Sequence, residues 1–99
     1  MFYMIIEKFQ PGKVKDLYKR FEEQGRLMPD GLRYINSWVA ETLSCCYQLM
    51  ETDKKENLDE WINNWKDLID FEIIPVITSD QAKEKVFAVG EGLSGGTAV

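Results

Sequence analysis

Hydrophobic and polar positions along the chain follow two periods, and the change between them marks the boundaries of the predicted elements. Residues 2–9 are β-rich and end before a Pro-Gly pair. From Lys13 onward, apolar residues recur every three or four positions, which predicts an amphipathic helix that ends near Gly25. Residues 32–40 and 44–51 are again β-rich and close together, and the simplest arrangement for them is a hairpin.

The second half of the chain repeats the order of a helix followed by a strand. Asp53 and Glu56 resemble a capping box that would start the helix. The apolar stripe behind them contains Trp61 and Trp65, a spacing that is typical of core residues and not of a ligand site. Residues 71–78 are the fourth predicted strand, and the proline within them favours a sheet edge.

The predicted order is therefore β-α-β-β-α-β, which indicates the α+β class and the ferredoxin-like split βαβ arrangement. Right-handed crossovers give an antiparallel sheet in the order 4-1-3-2, with two helices on one face. Residues 1–79 are predicted to form this single domain. Residues 80–99 are expected to be a flexible tail that contains GEGLSGG near its end, with 85–89 as a candidate edge strand.

Alternation within the strands sorts the side chains into two sets. One set is almost entirely apolar and is predicted to face the helices: Phe2, Met4, Ile6, Ile35, Val39, Tyr47, Leu49, Phe71, Ile73 and Ile77. The second set is mostly apolar with a few polar members: Tyr3, Ile5, Glu7, Tyr34, Asn36, Trp38, Cys46, Gln48, Met50, Glu72, Ile74 and Val76. No third helix is available to cover this second face. A second copy of the chain is therefore predicted to cover it, which makes the protein a homodimer.

Composition narrows the classes of partner. The net charge of −5 and a pI near 4.7 argue against binding to nucleic acid or to an anionic membrane. The N-terminal apolar run is too short for a signal peptide or a membrane span. Cys45 and Cys46 are adjacent, so they are not a disulfide framework, and we expect reduced cysteines in a cytoplasmic protein.

The chain contains no histidine, and this absence limits its chemistry. Ser-His-Asp and Cys-His catalysis are excluded, as are zinc, non-haem iron and haem held by histidine. There is also no CxxC motif and no glycine-rich phosphate loop. We therefore expect no metal site and no cofactor.

Polar residues of the second face are predicted to gather at one end of it. Antiparallel pairing would bring four side chains together there: Glu7, Trp38, Cys46 and Glu72. Asn36 and Gln48 would lie deeper. Two nearby carboxylates in a partly dry cavity would raise one pKa, creating a general acid or base or an oxygen-rich cation site. The alternative is a hydrated or salt-bridged rim of the dimer interface.

Six segments together resemble a known family: IEKF, GRLMPDGL, SW, CYQLMET, W…WKDL and FEIIPV. They are similar to the small bacterial family called domain of unknown function 3303, within the dimeric α/β-barrel superfamily. The resemblance covers roughly the first 79 residues. It implies a ferredoxin-like dimer with a cavity between the two sheets, and it implies that the cavity is faced by Glu7, Trp38, Cys46, Gln48 and Glu72.

Related dimeric barrels include cofactor-free monooxygenases, haem-degrading enzymes, dehydratase-like enzymes and proteins with only a binding role. The resemblance therefore supplies no activity, and haem chemistry does not carry over to a chain that has no histidine.

The function expected from the sequence is binding of a small, partly apolar molecule between the sheets. Tyr3, Tyr34 and Trp38 would supply contact area, and Cys46 and Met50 would line the same cavity. Asn36 and Gln48 would orient the ligand, and the two carboxylates would favour a neutral or cationic group.

Two alternatives remain open at this point. The first is a cofactor-independent monooxygenase-like or isomerase-like enzyme that uses Glu7 or Glu72 as general base. The second is a purely structural dimer whose cavity is filled by side chains. The sequence alone leaves open whether the chain is an enzyme.

Overall fold

A computed structural model describes residues 1–89 of the chain. The elements follow in this order: β1 (Phe2–Phe9), α1 (Val14–Gln24), β2 (Arg33–Val39), β3 (Cys45–Glu51), α2 (Lys55–Asn63), β4 (Ile69–Val76) and α3 (Ser79–Val89). The predicted β-α-β-β-α-β order is confirmed as far as β4, and α3 is an addition that the sequence analysis did not predict.

The four strands form one antiparallel sheet in the order β2-β3-β1-β4, which is the predicted 4-1-3-2 order read from the other edge. The central strand β1 pairs with both β3 and β4. Leu17 of α1 and Leu58 of α2 belong to one core cluster together with Ile5 of β1. Both helices therefore pack on the same side of the sheet, as predicted from right-handed crossovers.

The side of the sheet that the helices cover, which we call the inner face, is not the side that was predicted. In β1, Ile5 and Glu7 are buried, whereas Met4 and Ile6 on the opposite, outer face are only half-buried. The strand register assigns residues of the neighbouring strands to the inner or outer face as well, because residues directly opposite each other share a face. Glu7 lies opposite Cys46 on one side and opposite Phe71 on the other.

The prediction of faces was wrong for a physical reason. Alternation identifies which residues of one strand share a face. It does not identify which residues of the neighbouring strand lie on that same face, because this depends on the register, and a slip of one residue reverses the assignment. The sequence analysis grouped Ile73 with Met4, whereas the register places Ile73 opposite Ile5. It also assumed that polar positions mark the open face, although Glu7 and Gln48 are buried under the helices.

A register shift in β2 divides a group of residues that simple alternation had placed together. Tyr34 pairs with Met50, but Asn36 pairs with Leu49, so one extra residue is accommodated between them. Tyr34 therefore lies on the inner face, where its hydroxyl group is 2.7 Å from that of Ser37. Asn36, two residues after Tyr34, lies on the outer face.

The two tryptophans of the predicted core stripe are in the core, as predicted. Trp61 lies in α2, and Trp65 lies in the turn that follows it. Trp61 meets Phe71 of β4 edge to face, with ring centroids 5.4 Å apart. Arg20 of α1 binds the carboxylate of Asp67 through both terminal nitrogens, at 2.8 and 2.6 Å, which joins α1 to the turn after α2.

The helix starts also differ from expectation. The predicted capping box at Asp53 and Glu56 is wrong, because the N-cap of α2 is Lys54 and carries no side-chain cap. Thr52 binds the backbone at the start of α2 instead: its hydroxyl accepts a hydrogen bond from the Lys54 amide at 3.2 Å. A reciprocal capping box occurs at α3: Gln81 accepts from the Thr78 amide at 2.9 Å, and the Thr78 hydroxyl accepts from the Gln81 amide at 3.0 Å.

This capping box explains why residues 79–89 form α3, where a tail with a candidate edge strand at 85–89 was predicted. The edge strand is corrected to a helix. The remainder of the predicted flexible tail, residues 90–99, lies outside the described residues.

Replacing Leu58 with Ala should destabilise the fold by about 3 kcal/mol, because a fully buried leucine leaves a cavity among well-packed neighbours. Urea unfolding followed by tryptophan fluorescence would measure the change. Leu43→Ala is the matched control, since Leu43 lies in the β2–β3 turn and is largely exposed. Equal losses of stability in the two variants would contradict the position of the core.

Candidate functional site

A polar cluster lies on the inner face of the sheet, beneath the helices. Its centre is Glu7 on β1, which is 7% exposed, and Gln48 on the neighbouring strand β3, which is 5% exposed. The Gln48 amide Nε2 donates to Glu7 Oε2 at 3.0 Å and also lies 3.9 Å from the Met50 sulfur. Buried polar groups are usually satisfied in this way, so each side chain makes burial of the other tolerable.

Arg26, in the segment between α1 and β2, approaches the cluster from the helix side. Its guanidinium carbon is 3.7 Å from the ring centroid of Tyr34 and 5.0 Å from that of Phe21. The Nε atom of Arg26 is buried and has no hydrogen-bond partner. The cation is therefore held by aromatic rings, an arrangement that suits the weakly hydrated guanidinium group.

Two tryptophans fix the backbone of this arginine. The indole nitrogens of Trp61 and Trp65 both donate to the main-chain oxygen of Arg26, at 3.1 and 2.8 Å. Buried tryptophan usually needs such an acceptor, and here one carbonyl oxygen serves both rings. The position of Arg26 is thus coupled to α2 and to the turn behind it.

The electrostatics of the cluster centre on Glu7. Burial raises the pKa of the Glu7 carboxyl group from its ordinary value of 4.5 to about 7, although the nearby charge of Arg26 acts to lower it. Burial, together with the Glu7 charge, also raises the pKa of the Cys46 thiol to about 12. Cys46 is therefore a protonated thiol at neutral pH and a poor nucleophile.

A small cavity of about 40 Å³ lies within this cluster. Its lining combines the three polar side chains with apolar and aromatic groups: Glu7, Leu17, Phe21, Arg26, Gln48, Trp61, Trp65 and Ile69. A cavity of this size has room for a few water molecules or one small polar group. A buried carboxyl group that titrates near neutral pH can accept a hydrogen bond or exchange a proton there.

Metal binding has no support among residues 1–89. No group of three or more cysteine or carboxylate side chains there is arranged to hold an ion. Cys45 and Cys46 are both free thiols.

A second and larger feature lies on the opposite side of the sheet. A groove of about 530 Å³ on the outer face is lined almost entirely by apolar side chains: Phe2, Met4, Ile35, Leu49, Val76, Ile77 and Thr78. Trp38 and Tyr47, which pair across β2 and β3, extend this apolar surface and are 53% and 41% exposed. We call this surface the outer groove.

The sequence-predicted site residues fall on both sides of the sheet. Most of them lie on the inner face: Tyr3, Glu7, Tyr34, Cys46, Gln48 and Met50. The others lie on the outer face: Asn36, Trp38 and Glu72. The structure therefore brings Glu7, Cys46 and Gln48 together as predicted, but beneath the helices instead of on the open face.

The predicted proximity of Glu7 and Glu72 is wrong. Glu72 lies opposite Ile6, so its side chain projects from the outer face while that of Glu7 projects from the inner face. The raised pKa of Glu7 comes from burial and not from a second carboxylate. Catalytic roles for these two residues remain predictions.

Sequence reasoning missed Arg26 and Phe21, and it assigned Trp61 and Trp65 to the core alone. Their positions depend on how the loop after α1 folds back over the sheet, and no local pattern specifies that. One signal was present: Trp61 and Trp65 are both buried, and each indole N–H group requires an acceptor.

Comparison with known proteins places the chain in a sequence family without an assigned activity. The family described as Domain of unknown function (DUF3303) matches residues 1–90, which includes α3 as well as the predicted domain. No curated protein and no solved structure matches the chain. Among residues 1–89, no helix is both long and apolar enough to cross a membrane.

The raised pKa of Glu7 makes the stability of the protein depend on pH. The folded state favours the protonated carboxyl, so this stabilisation is fully present below about pH 4.5 and is lost as the pH rises through about 7. The loss should be about 3 kcal/mol. Urea unfolding of the wild type and of Glu7→Gln at pH 4.5 and pH 8 should show this decline only in the wild type.

Glu23→Gln, on the exposed side of α1, removes the same charge and serves as the control. It should retain the full decline of the wild type. A Glu7→Gln variant with an undiminished decline would show that another group is responsible.

Proposed function

We propose that this protein, which belongs to the family described as Domain of unknown function (DUF3303), is a homodimer that binds a small, largely apolar molecule between its two sheets. The observation that carries the proposal is the outer groove, an apolar depression of about 530 Å³ on the sheet face opposite α1 and α2. The family assignment is compatible with this function but does not specify it.

The argument for a dimer rests on exposed apolar surface. Besides the groove lining, Trp38, Tyr47 and Ile74 of the outer face are all exposed. Soluble monomers seldom expose a contiguous apolar surface of this kind over several strands. A second copy packed sheet to sheet would bury roughly 800 Å² on each partner, which is the usual size of a specific interface.

The argument for a ligand rests on the shape of that surface. Two outer grooves related by a twofold axis would face each other and enclose an apolar chamber. The groove is concave, so part of it would stay open to a small molecule. Its lining is apolar except for Thr78, and this composition favours an uncharged hydrocarbon-rich ligand.

The residues proposed to contact this ligand differ from those expected from the sequence. Asn36 and Glu72 remain on the outer face, where they can supply polar contacts at the edge of the chamber. Glu7 and Gln48 lie on the other side of the sheet and take no part. The enzyme alternative loses its pair of carboxylates and is not included in the proposal, whereas the cytoplasmic location expected from reduced cysteines is retained.

The dimer is tested by placing a charge in the middle of the outer face. Leu49 is half-buried on β3 and lies opposite Met4, so Leu49→Glu would bury a carboxylate in the proposed interface. We expect the wild type to sediment as a dimer at micromolar concentration and the variant to sediment as a monomer. Analytical ultracentrifugation measures both.

Leu43→Glu introduces the same charge at an exposed turn and should leave the dimer intact. A monomeric wild type would overturn the proposal. If the Leu49→Glu variant still forms a full dimer, the dimer interface does not lie on the outer face.

The ligand is tested by native mass spectrometry of the purified wild type beside a denatured sample. We expect a dimer mass with an excess that disappears on denaturation, because an apolar ligand should be released when the chamber opens. Val76→Trp, which fills the outer groove, should remove the excess while keeping the dimer. A dimer without any excess mass would support the purely structural alternative.

A further inference from the structure

The cavity beneath the helices differs in chemistry from the outer groove and lies on the opposite side of the sheet. It combines a carboxyl group, an amide and a guanidinium group with aromatic walls, whereas the outer groove is almost purely apolar. The proposed dimer would not cover it, because α1 and α2 face away from the outer surface. The cavity is therefore a separate candidate binding site.

The carboxylate in this cavity has unused hydrogen-bonding capacity. Among residues 1–89, the side chain that donates to Glu7 is Gln48, and it reaches only Oε2. A carboxylate can accept several hydrogen bonds through its two oxygens. Oε1 is thus available to a donor from outside the protein.

The charges around the cavity select a neutral donor. Glu7 and Arg26 both line it, and no ion pair within 4.0 Å joins them, since the ion pairs among the described residues involve other groups. Each of these two charges attracts an ion that the other repels, so neither a cation nor an anion gains a net attraction that offsets the cost of removing it from water. A neutral O–H group avoids that cost.

The walls and the mouth of the cavity indicate the rest of the ligand. Trp61 and Trp65 form aromatic walls, held in place by their hydrogen bonds to Arg26. Phe21 lines the cavity and is also 39% exposed, so the cavity reaches the surface beside α1. About 40 Å³ is enough for a hydroxyl group, and an attached ring would lie against Phe21 at the mouth.

We propose that this inner cavity is a second binding site, which takes the hydroxyl group of a small neutral phenol as a donor to Glu7. The phenol ring packs against Phe21 at the mouth of the cavity. This site is independent of the outer groove and does not require the dimer.

The test is a titration with phenol, followed through the indole N–H signals of the three tryptophans in two-dimensional NMR. Trp61 and Trp65 report on the inner cavity, and Trp38 reports on the outer face. Anisole has the same ring without the donor and is the matched ligand control. We expect saturable shifts of Trp61 and Trp65 with phenol and binding of anisole weaker by at least about tenfold.

Two variants locate the acceptor. Glu7→Leu keeps a similar volume without the carboxylate and should weaken phenol binding by about tenfold or more. Glu41→Leu removes a carboxylate from the exposed turn between β2 and β3, away from both cavities, and should bind phenol as the wild type does. If Glu7→Leu does not fold, the comparison of phenol with anisole on the wild type decides the question.

Equal binding of phenol and anisole would overturn the proposal, as would the absence of shifts at Trp61 and Trp65. Shifts confined to Trp38 would also overturn it, while supporting a ligand in the outer groove. A monomeric protein that shows the expected phenol response would support the inner site and count against the dimer, so the two proposals can fail separately.

Discussion

The hydrogen bond between Gln48 and Glu7 is the interaction on which the organisation of this sheet depends. Both side chains lie beneath the helices, and burying either alone would leave a polar group without a partner. Their pairing allows the helix-covered side of β1 and β3 to carry polar residues. The outer face of these strands, which the sequence analysis assigned to the core, is left open and apolar.

This reversal gives the two faces different chemistry. The inner face has a small cavity in which a carboxyl group, an amide and a cation share one apolar environment, so burial controls the proton affinity of Glu7. The outer face has a large apolar depression with polar groups only near its edges. The inner face can therefore recognise a hydrogen-bond donor, whereas the outer face suits hydrocarbon surface, from a ligand or from a second copy.

Arg26 connects the inner cavity to the rest of the fold. Its main-chain oxygen accepts from two tryptophans, and its guanidinium group lies over rings of α1 and β2. Removing either tryptophan would take away one of the hydrogen bonds that hold the segment between α1 and β2, and it would also open the core. The cavity is thus held by long-range contacts and not by any single element.

The sequence by itself determined the order of the first six elements, the strand order and the use of Trp61 and Trp65 as core residues. Local periodicity and right-handed crossovers are sufficient for these features. The sequence also placed Glu7, Cys46 and Gln48 on one face, because β1 and β3 keep regular alternation. The sequence analysis did not identify the Thr78–Gln81 capping box, because the composition of the residues that follow it is typical of a flexible tail.

Only the tertiary structure decided which face the helices cover. When both alternating sets are largely apolar, alternation leaves open which one is buried, and packing against α1 and α2 decides it. Register decides which residues of neighbouring strands share a face, and one extra residue in β2 is enough to separate Tyr34 from Asn36. The same dependence on register separates Glu72 from Glu7. The position of Arg26 was beyond prediction because Trp61 and Trp65, which bind its main-chain oxygen, lie 35 and 39 residues away, and only the packed fold brings them within reach.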